Sequence, residues 1–261
     1  NSLREISLIW SLEYPSSLGL FYSAITDFLG YHVNDGEFKV MALSAYGKPK
    51  FKDKFYKIID FNEGNFHFDE SYFSYQYSTQ KSYSEKLVNL IGDPRMSLNK
   101  LNREDPNFNK YANIASSAQK ILEEIVVKIF DYIFKKTNIN NFIFSGGVAL
   151  NSTLVSKISN LSYIYSLDIP PSPGDSGASI GSAFFLSCKN KNIKTNVDNL
   201  YTGKVDYNKN FIDKKLNKLF DSNDIIKGAQ ELLNDQQIIC TCLGNIETGP
   251  RALGNRSFLC D

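Results

Sequence analysis

Several short stretches of this chain carry residue types that could do chemistry. In Ser145-Gly146-Gly147-Val148-Ala149-Leu150-Asn151 an apolar run ends, two glycines turn the chain, and a helical pattern begins. Glycine lets backbone approach a ligand closely, and a helix start offers N–H groups and a positive dipole end to a phosphate. No Gly-Lys-Ser follows, so this is not a Walker loop, and an ordinary strand-to-helix turn reads the same way. In Pro170-Pro171-Ser172-Pro173-Gly174-Asp175-Ser176-Gly177 prolines stiffen a loop that ends where a helix pattern starts. Asp175 there either caps that helix or presents its carboxylate to a metal ion. In "GPRALGNRS", Arg251 and Arg256 lie five residues apart among glycines. Guanidinium forks match phosphate or carboxylate oxygens two at a time; the plainer alternative is two solvated arginines, Arg251 pairing with Glu247. Glu37 and Lys39 in "GEFK" flank a helix start, where charges are ordinarily solvated. His32 and His67 have no metal-ligand spacing and read as plain polar residues.

Composition narrows the classes. The length of 261 residues suits one large domain or two small ones. A net charge of +1 gives no bulk attraction to nucleic acid or an acidic membrane, so neither is expected as a partner. Cys188, Cys240, Cys242 and Cys260 show no C-x-x-C spacing and read as structural thiols of a reduced, cytoplasmic protein. No apolar run is long enough to cross a bilayer, and no signal peptide opens the sequence.

The elements that must position these residues follow from periodicity. Ile6, Leu8, Trp10 and Leu12 alternate as in a half-buried strand. Ser16 or Ser17 can cap a helix carrying Leu18, Phe21, Ala24, Ile25, Phe28 and Leu29. "GEFKVMALSAYGKP" predicts a short helix stopped by Gly47 and Pro49, and "IIDFNEGNFHFDE" a hairpin turning at Asn62 to Asn65. Residues 74–106 are polar and poorly periodic, and predict a mobile excursion with one short helix. From Tyr111 to Phe134 the apolar spacing is that of one long amphipathic helix. Strand, glycine turn and helix follow through "NNFIFSGGVALNSTLVSKI". A strand, a proline loop and a helix opening near Asp175 come next, then a connector, "NKNIKTNVDN". A helix carrying Ile225 to Leu233 and a strand, "QQIICTCLG", complete the pattern. The alternation argues an α/β protein.

Taken in order, "SLGLFYSAITDFLGY", "DGEFKVMALSAYGKP", "SGGVALN", "PPSPGDSGASIGSAFF" and "GNIETGPRALGNRS" resemble the NodU/CmcH family of O-carbamoyltransferases, over nearly the whole chain and most weakly between residues 51 and 110. The resemblance implies a lobe of the actin/Hsp70/sugar-kinase (ASKHA) type, a mixed sheet flanked by helices, followed by a YrdC-like α/β domain. On that pattern residues 1–221 are the later part of the transferase domain and residues 222–261 the junction and start of the YrdC-like domain. The implied chemistry uses ATP and carbamoyl phosphate to make carbamoyl adenylate with release of pyrophosphate. The carbamoyl group then passes to a hydroxyl of a glycoconjugate or secondary metabolite, with a divalent metal, typically iron(II). In that scheme Gly146, Gly147 and Asn151, with Glu37 and Lys39, match the nucleotide site. Asp175 matches a metal ligand, and Arg251 and Arg256 match carbamoyl-phosphate contacts. No catalytic acid or base is assigned. The family's histidine pair and first phosphate loop have no counterpart here, and most of the YrdC-like domain is missing. A piece of a longer protein, inactive by itself, is therefore expected. A sugar kinase or ATPase of the same fold, and a nucleotide-binding module without chemistry, remain the alternatives.

Overall fold

The structure is a computed structural model that describes residues 7–96, 101–191, 203, 222–242, 244–249, 252 and 254–260. The chain divides into two compact units, residues 2–174 and 175–261.

The first unit is built around one helix. α1 (Leu18–Phe28) starts where the Ser17 hydroxyl accepts from the Leu20 N–H at 3.3 Å, and it buries Phe21, Ala24, Ile25 and Phe28. α2 (Glu37–Ser44) buries Val40 and Leu43, and the single turn α3 (Lys52–Phe55) buries Phe55. β1 (Ile59–Asn62) and β2 (Asn65–Phe68) form the expected antiparallel hairpin, Ile59 opposite Phe68. Its two-residue loop, Glu63 and Gly64, has φ of 48° and 90°, the positive angles that match the twist of the strands. α4 (Glu85–Ile91) buries Leu87 and Ile91. α5 (Phe108–Thr137) is the long helix, 30 residues and so roughly 45 Å. It ends where Asn138 turns left-handed and returns its N–H to the Phe134 carbonyl. α1, α2, α3, β1 and the later α6 (Ser152–Ser159) all pack on α5, whose Ile114, Ala118, Ile121, Leu122 and Ile125 form the middle of the core. β3 (Asn141–Ile143) and β4 (Ser166–Asp168) lie parallel, Phe142 beside Leu167, with α6 in the crossover.

Two expectations in this unit fail. Residues 7–12 form no strand among the described residues. Alternation there half-buries Trp10 and Leu12 without a partner strand: Trp10 sits edge-on to Phe61 at 5.3 Å, and its indole N–H donates to the Gly64 carbonyl at 3.0 Å. Residues 74–96 hold the expected short helix, α4, but are not a loose excursion. The Ser82 N–H donates to the Asp27 carboxylate at 2.6 Å, the Ser74 hydroxyl to the Lys81 carbonyl at 2.7 Å, and buried Arg95 to the Leu29 carbonyl at 2.5 Å. Polar anchors replace the apolar period that the sequence lacks.

The second unit holds α7 (Gly177–Lys191), α8 (Ser222–Asn234) and an antiparallel pair, β5 (Ile239–Cys242) with β6 (Arg256–Leu259). β6 begins at Arg256, inside "GPRALGNRS". "RSFL" has no alternating pattern of its own, and its ladder is supplied by β5, with Cys242 opposite Arg256. Cys240, Cys242 and Cys260 are free thiols. From residue 192 the expected connector lies outside the described residues. The protein is thus a mixed α/β structure with helices flanking small sheets.

Candidate functional site

The glycine turn is held from both sides and open in the middle. β3 delivers the chain to it, the Phe144 N–H donating to the Asp168 carbonyl at 2.9 Å. The Pro173 carbonyl then accepts both the Gly146 N–H at 2.7 Å and the Ser145 hydroxyl at 3.0 Å. Gly146 has φ 102° and ψ 162°, a region essentially reserved for glycine. Residues Gly147–Leu150 continue as one 3₁₀ turn whose Ala149 is buried. A Cβ built on Gly146 or on Gly147 meets no atom of the described residues within 4 Å. Neither glycine is there to relieve packing, so the space beside them is available to a ligand.

Asn151 faces inward. Its Oδ1 caps α6 by accepting from the Leu154 N–H at 3.0 Å and also accepts from Gln119 Nε2 at 3.1 Å; its Nδ2 donates to Gln119 Oε1 at 2.9 Å. Gln119 also accepts from the Tyr22 hydroxyl at 2.9 Å and donates to Glu123 at 2.8 Å, and Lys157 donates to Glu123 at 3.1 Å. Burial first, then the charges of Glu123 and Glu37, push the Tyr22 hydroxyl well above its ordinary pKa, so it stays a neutral donor. This network ties α1, α5 and α6 together directly behind the glycine turn. Reading by motif did not find it. The signal was a polar pair four apart, Gln119 and Glu123, inside the apolar stripe of α5.

Glu37 and Lys39 part company. Positions two apart on a helix do not share a face. Glu37 Oε1 accepts from the Ser23 hydroxyl at 2.8 Å and from the Asn34 N–H at 2.9 Å. One turn before Ser23 on α1, a Cβ on Gly19 would touch the Val148 side chain at 3.6 Å, so this face of α1 runs from Glu37 to the glycine turn. Met41, also on the Glu37 side of α2, accepts from the Ser152 hydroxyl of α6 at 3.7 Å. Lys39 instead lies over the rings of Phe38 and Tyr31, its Nζ 5.5 and 6.0 Å from their centroids.

Asp175 belongs to the second unit and is exposed just ahead of α7, its carbonyl accepting from the Ala178 N–H at 3.1 Å. Among the described residues no three His, Cys, Asp or Glu side chains come together to hold a metal ion. Asp175 is therefore in no such group among the described residues. His67 lies against the Lys57 carbonyl at 3.3 Å, and the His32 carbonyl accepts from the Gly36 N–H at 2.7 Å; both are ordinary turn and strand contacts. Arg251 lies outside the described residues. Arg256 is paired to Glu247, Nε to Oε2 at 2.8 Å, and also donates to the Glu247 carbonyl at 3.2 Å. The Glu247 side chain is fully enclosed, and its other oxygen accepts the Asn255 and Arg256 N–H groups at 2.7 and 3.0 Å. One face of the Arg256 fork therefore shapes the loop between β5 and β6.

Comparison with known proteins agrees with the motifs. The carbamoyltransferase N-terminus family matches residues 3–184, and the carbamoyltransferase C-terminus family matches residues 230–261. The uncharacterized protein MJ1051 of Methanocaldococcus jannaschii is 31% identical over 98% of this chain and 48% of its own length. The uncharacterized protein sll1178 of Synechocystis sp. is 29% identical over 99% of this chain and 43% of its own. Nodulation protein NolO of Bradyrhizobium diazoefficiens is 27% identical over 98% of this chain and 45% of its own. The chain spans less than half the length of these relatives. With a family match that runs through α1, α2, α5, the glycine turn and Asp175, the chain belongs to the carbamoyltransferase family.

Proposed function

We propose that this chain is part of an ATP-dependent O-carbamoyltransferase that makes carbamoyl adenylate and passes the carbamoyl group to a hydroxyl. The observation that carries the reading is the Gly146–Gly147 turn, clamped by Pro173 yet open at both Cβ positions, within a chain of this family. The residues have separate tasks in this scheme. Gly146 and Gly147 let the adenylate phosphate approach backbone. Asn151 holds the turn against α5 through Gln119. Glu37 sits at the far end of the same α1 face, where it can accept a hydroxyl. In the transfer step the acceptor oxygen bonds to the carbamoyl carbon, the bond from that carbon to the AMP phosphate oxygen breaks, and the hydroxyl proton leaves. Excluding water around the adenylate directs it to the acceptor rather than to hydrolysis.

A divalent metal, iron(II) in the enzymes this sequence resembles, would act as a Lewis acid on the carbamoyl carbonyl. Asp175 would be one ligand, with the rest from outside the described residues. Arg251 and Arg256 would contact carbamoyl phosphate. The same reading makes residues 1–221 part of an ASKHA-type lobe and residues 222–261 the start of a YrdC-like domain, in a cytoplasmic enzyme. Among the described residues no helix is long and apolar enough to cross a membrane. The test is carbamoyl transfer by the full-length protein supplied with ATP, carbamoyl phosphate and a panel of hydroxylated acceptors. Hydrolysis of ATP to ADP with no carbamoylated product would overturn the reading in favour of a kinase or ATPase.

A further inference from the structure

The side of α2 turned away from the glycine turn forms one wall of an open groove of about 340 Å³ lined by Tyr31, Phe38, Lys39, Tyr46, Arg103 and Phe108. Two of its rings reach the surface, Tyr46 at 56% and Phe38 at 40% exposure, and Tyr46 stands edge-on to Phe108 at 6.0 Å. Its cations lie on those rings. The Arg103 guanidinium is 4.9 Å from the Tyr46 centroid, and Lys39 Nζ is 5.5 Å from that of Phe38. Among the described residues neither Lys39 nor Arg103 is in an ion pair with a carboxylate, whereas Lys52, Lys86, Lys120 and Lys128 each are. An aromatic wall suits the C–H face of a sugar ring, and two cations without a carboxylate suit an anion carried by that sugar. The volume is at the small end of the usual range for ligand sites, about 300–1,000 Å³, which fits a monosaccharide phosphate.

We propose that this groove binds the acceptor, and that the acceptor is a phosphorylated sugar: its ring against Tyr46 and Phe38, its phosphate between Lys39 and Arg103. The proposal rests on the carbamoyl-transfer reading for the word acceptor, but the binding site stands on the groove alone. It also assigns Lys39 to the acceptor rather than to the nucleotide, in keeping with its separation from Glu37 on α2.

The test is direct binding to the full-length protein by titration calorimetry, with glucose 1-phosphate, glucose and inorganic phosphate as probes. Glucose 1-phosphate is expected to bind more tightly than either of the others. Arg103→Gln, at an exposed position, is expected to weaken it at least about tenfold, the loss of one charge-assisted contact. Tyr46→Leu is expected to weaken glucose 1-phosphate while leaving inorganic phosphate unchanged. AMP is expected not to compete. Equal binding of glucose 1-phosphate and inorganic phosphate, an unaffected Arg103→Gln protein, competition by AMP, or no binding of the sugar phosphate would each overturn the proposal. Pyrophosphate release by the unsubstituted protein, measured alongside, reports the carbamoyl-adenylate reading separately, so the two can fail independently.

Discussion

Two glycines of this chain make opposite predictions. A Cβ on Gly147 meets no atom of the described residues within 4 Å, whereas a Cβ on Gly47 would lie 2.0 Å from the Ala112 carbonyl oxygen and 2.3 Å from its carbon. Gly47 follows α2 where it crosses α5, and backbone cannot swing aside as a side-chain tip can. Gly47→Ala forces the two helices apart, an overpacking cost of about 1–3 kcal/mol or more. Gly147→Val places its Cβ where no atom of the described residues lies within 4 Å, and is expected to stay within about 0.5 kcal/mol of the parent. At about 2–4 °C per kcal/mol for a unit of this size, Gly47→Ala lowers the midpoint of thermal unfolding by about 2–12 °C, and Gly147→Val by no more than about 2 °C. Binding behaves the other way. Gly147→Val places its methyls where the adenylate phosphate approaches, so binding of AMP, followed by calorimetry on the full-length protein, is lost. A Gly147→Val protein that melts normally and binds AMP as the parent does would refute the placement of the nucleotide. One that melts as low as Gly47→Ala would refute the openness of the turn.

The remaining predictions concern the supports of the site. Asn151→Ala removes a helix cap worth about 1 kcal/mol and the two hydrogen bonds to Gln119, whose amide keeps Tyr22 and Glu123 as partners, so urea unfolding shows a loss of about 1–3 kcal/mol; a loss below about 0.5 kcal/mol means the network is idle. The hydrogen bonds from Lys86 and Ser71 lower the Asp69 carboxyl from 3.8 to about 2, so this pair contributes stability above about pH 4 that fades as pH falls toward 2. Asp69→Asn, at a largely solvated pair, therefore costs at most about 1 kcal/mol at pH 7, and the gap to the parent narrows below pH 4; a gap that widens there contradicts the assignment. Arg256→Ala, measured in the full-length protein, lowers both the thermal midpoint, through the enclosed Glu247, and pyrophosphate release; a folded variant with normal release leaves Arg256 a loop brace only.

What could be read from residues alone was what local periodicity or local chemistry decides. The long apolar stripe from Tyr111 to Phe134 marks α5, Ser17 marks the start of α1, and Asn62 to Asn65 mark the hairpin turn, because each feature acts within a few residues. The misses all depend on partners distant in sequence. Trp10 looks like part of a strand until Phe61 and the Gly64 carbonyl are known to receive it. Residues 74–96 look loose because their anchors are Asp27, Phe28 and Leu29 on the other side of the core. β6 exists because β5 pairs with it. At the site, "SGGVALN" was legible as a glycine turn between a strand and a helix. That Asn151 spends its side chain on Gln119 follows from a contact thirty-two positions away. Glu37 and Lys39 share one motif in the sequence, and α2 turns their side chains to different neighbours, Ser23 and Asn34 for Glu37 and the rings of Phe38 and Tyr31 for Lys39.

The most direct measurement follows both products of ATP in the full-length protein, with carbamoyl phosphate present and acceptor withheld or added. The predicted result is pyrophosphate without acceptor, and AMP together with a carbamoylated hydroxyl once acceptor is added. Asp175→Ala should keep the first and lose the second. Release of ADP in place of pyrophosphate, or equal loss of both half-reactions in a folded Asp175→Ala protein, would contradict it.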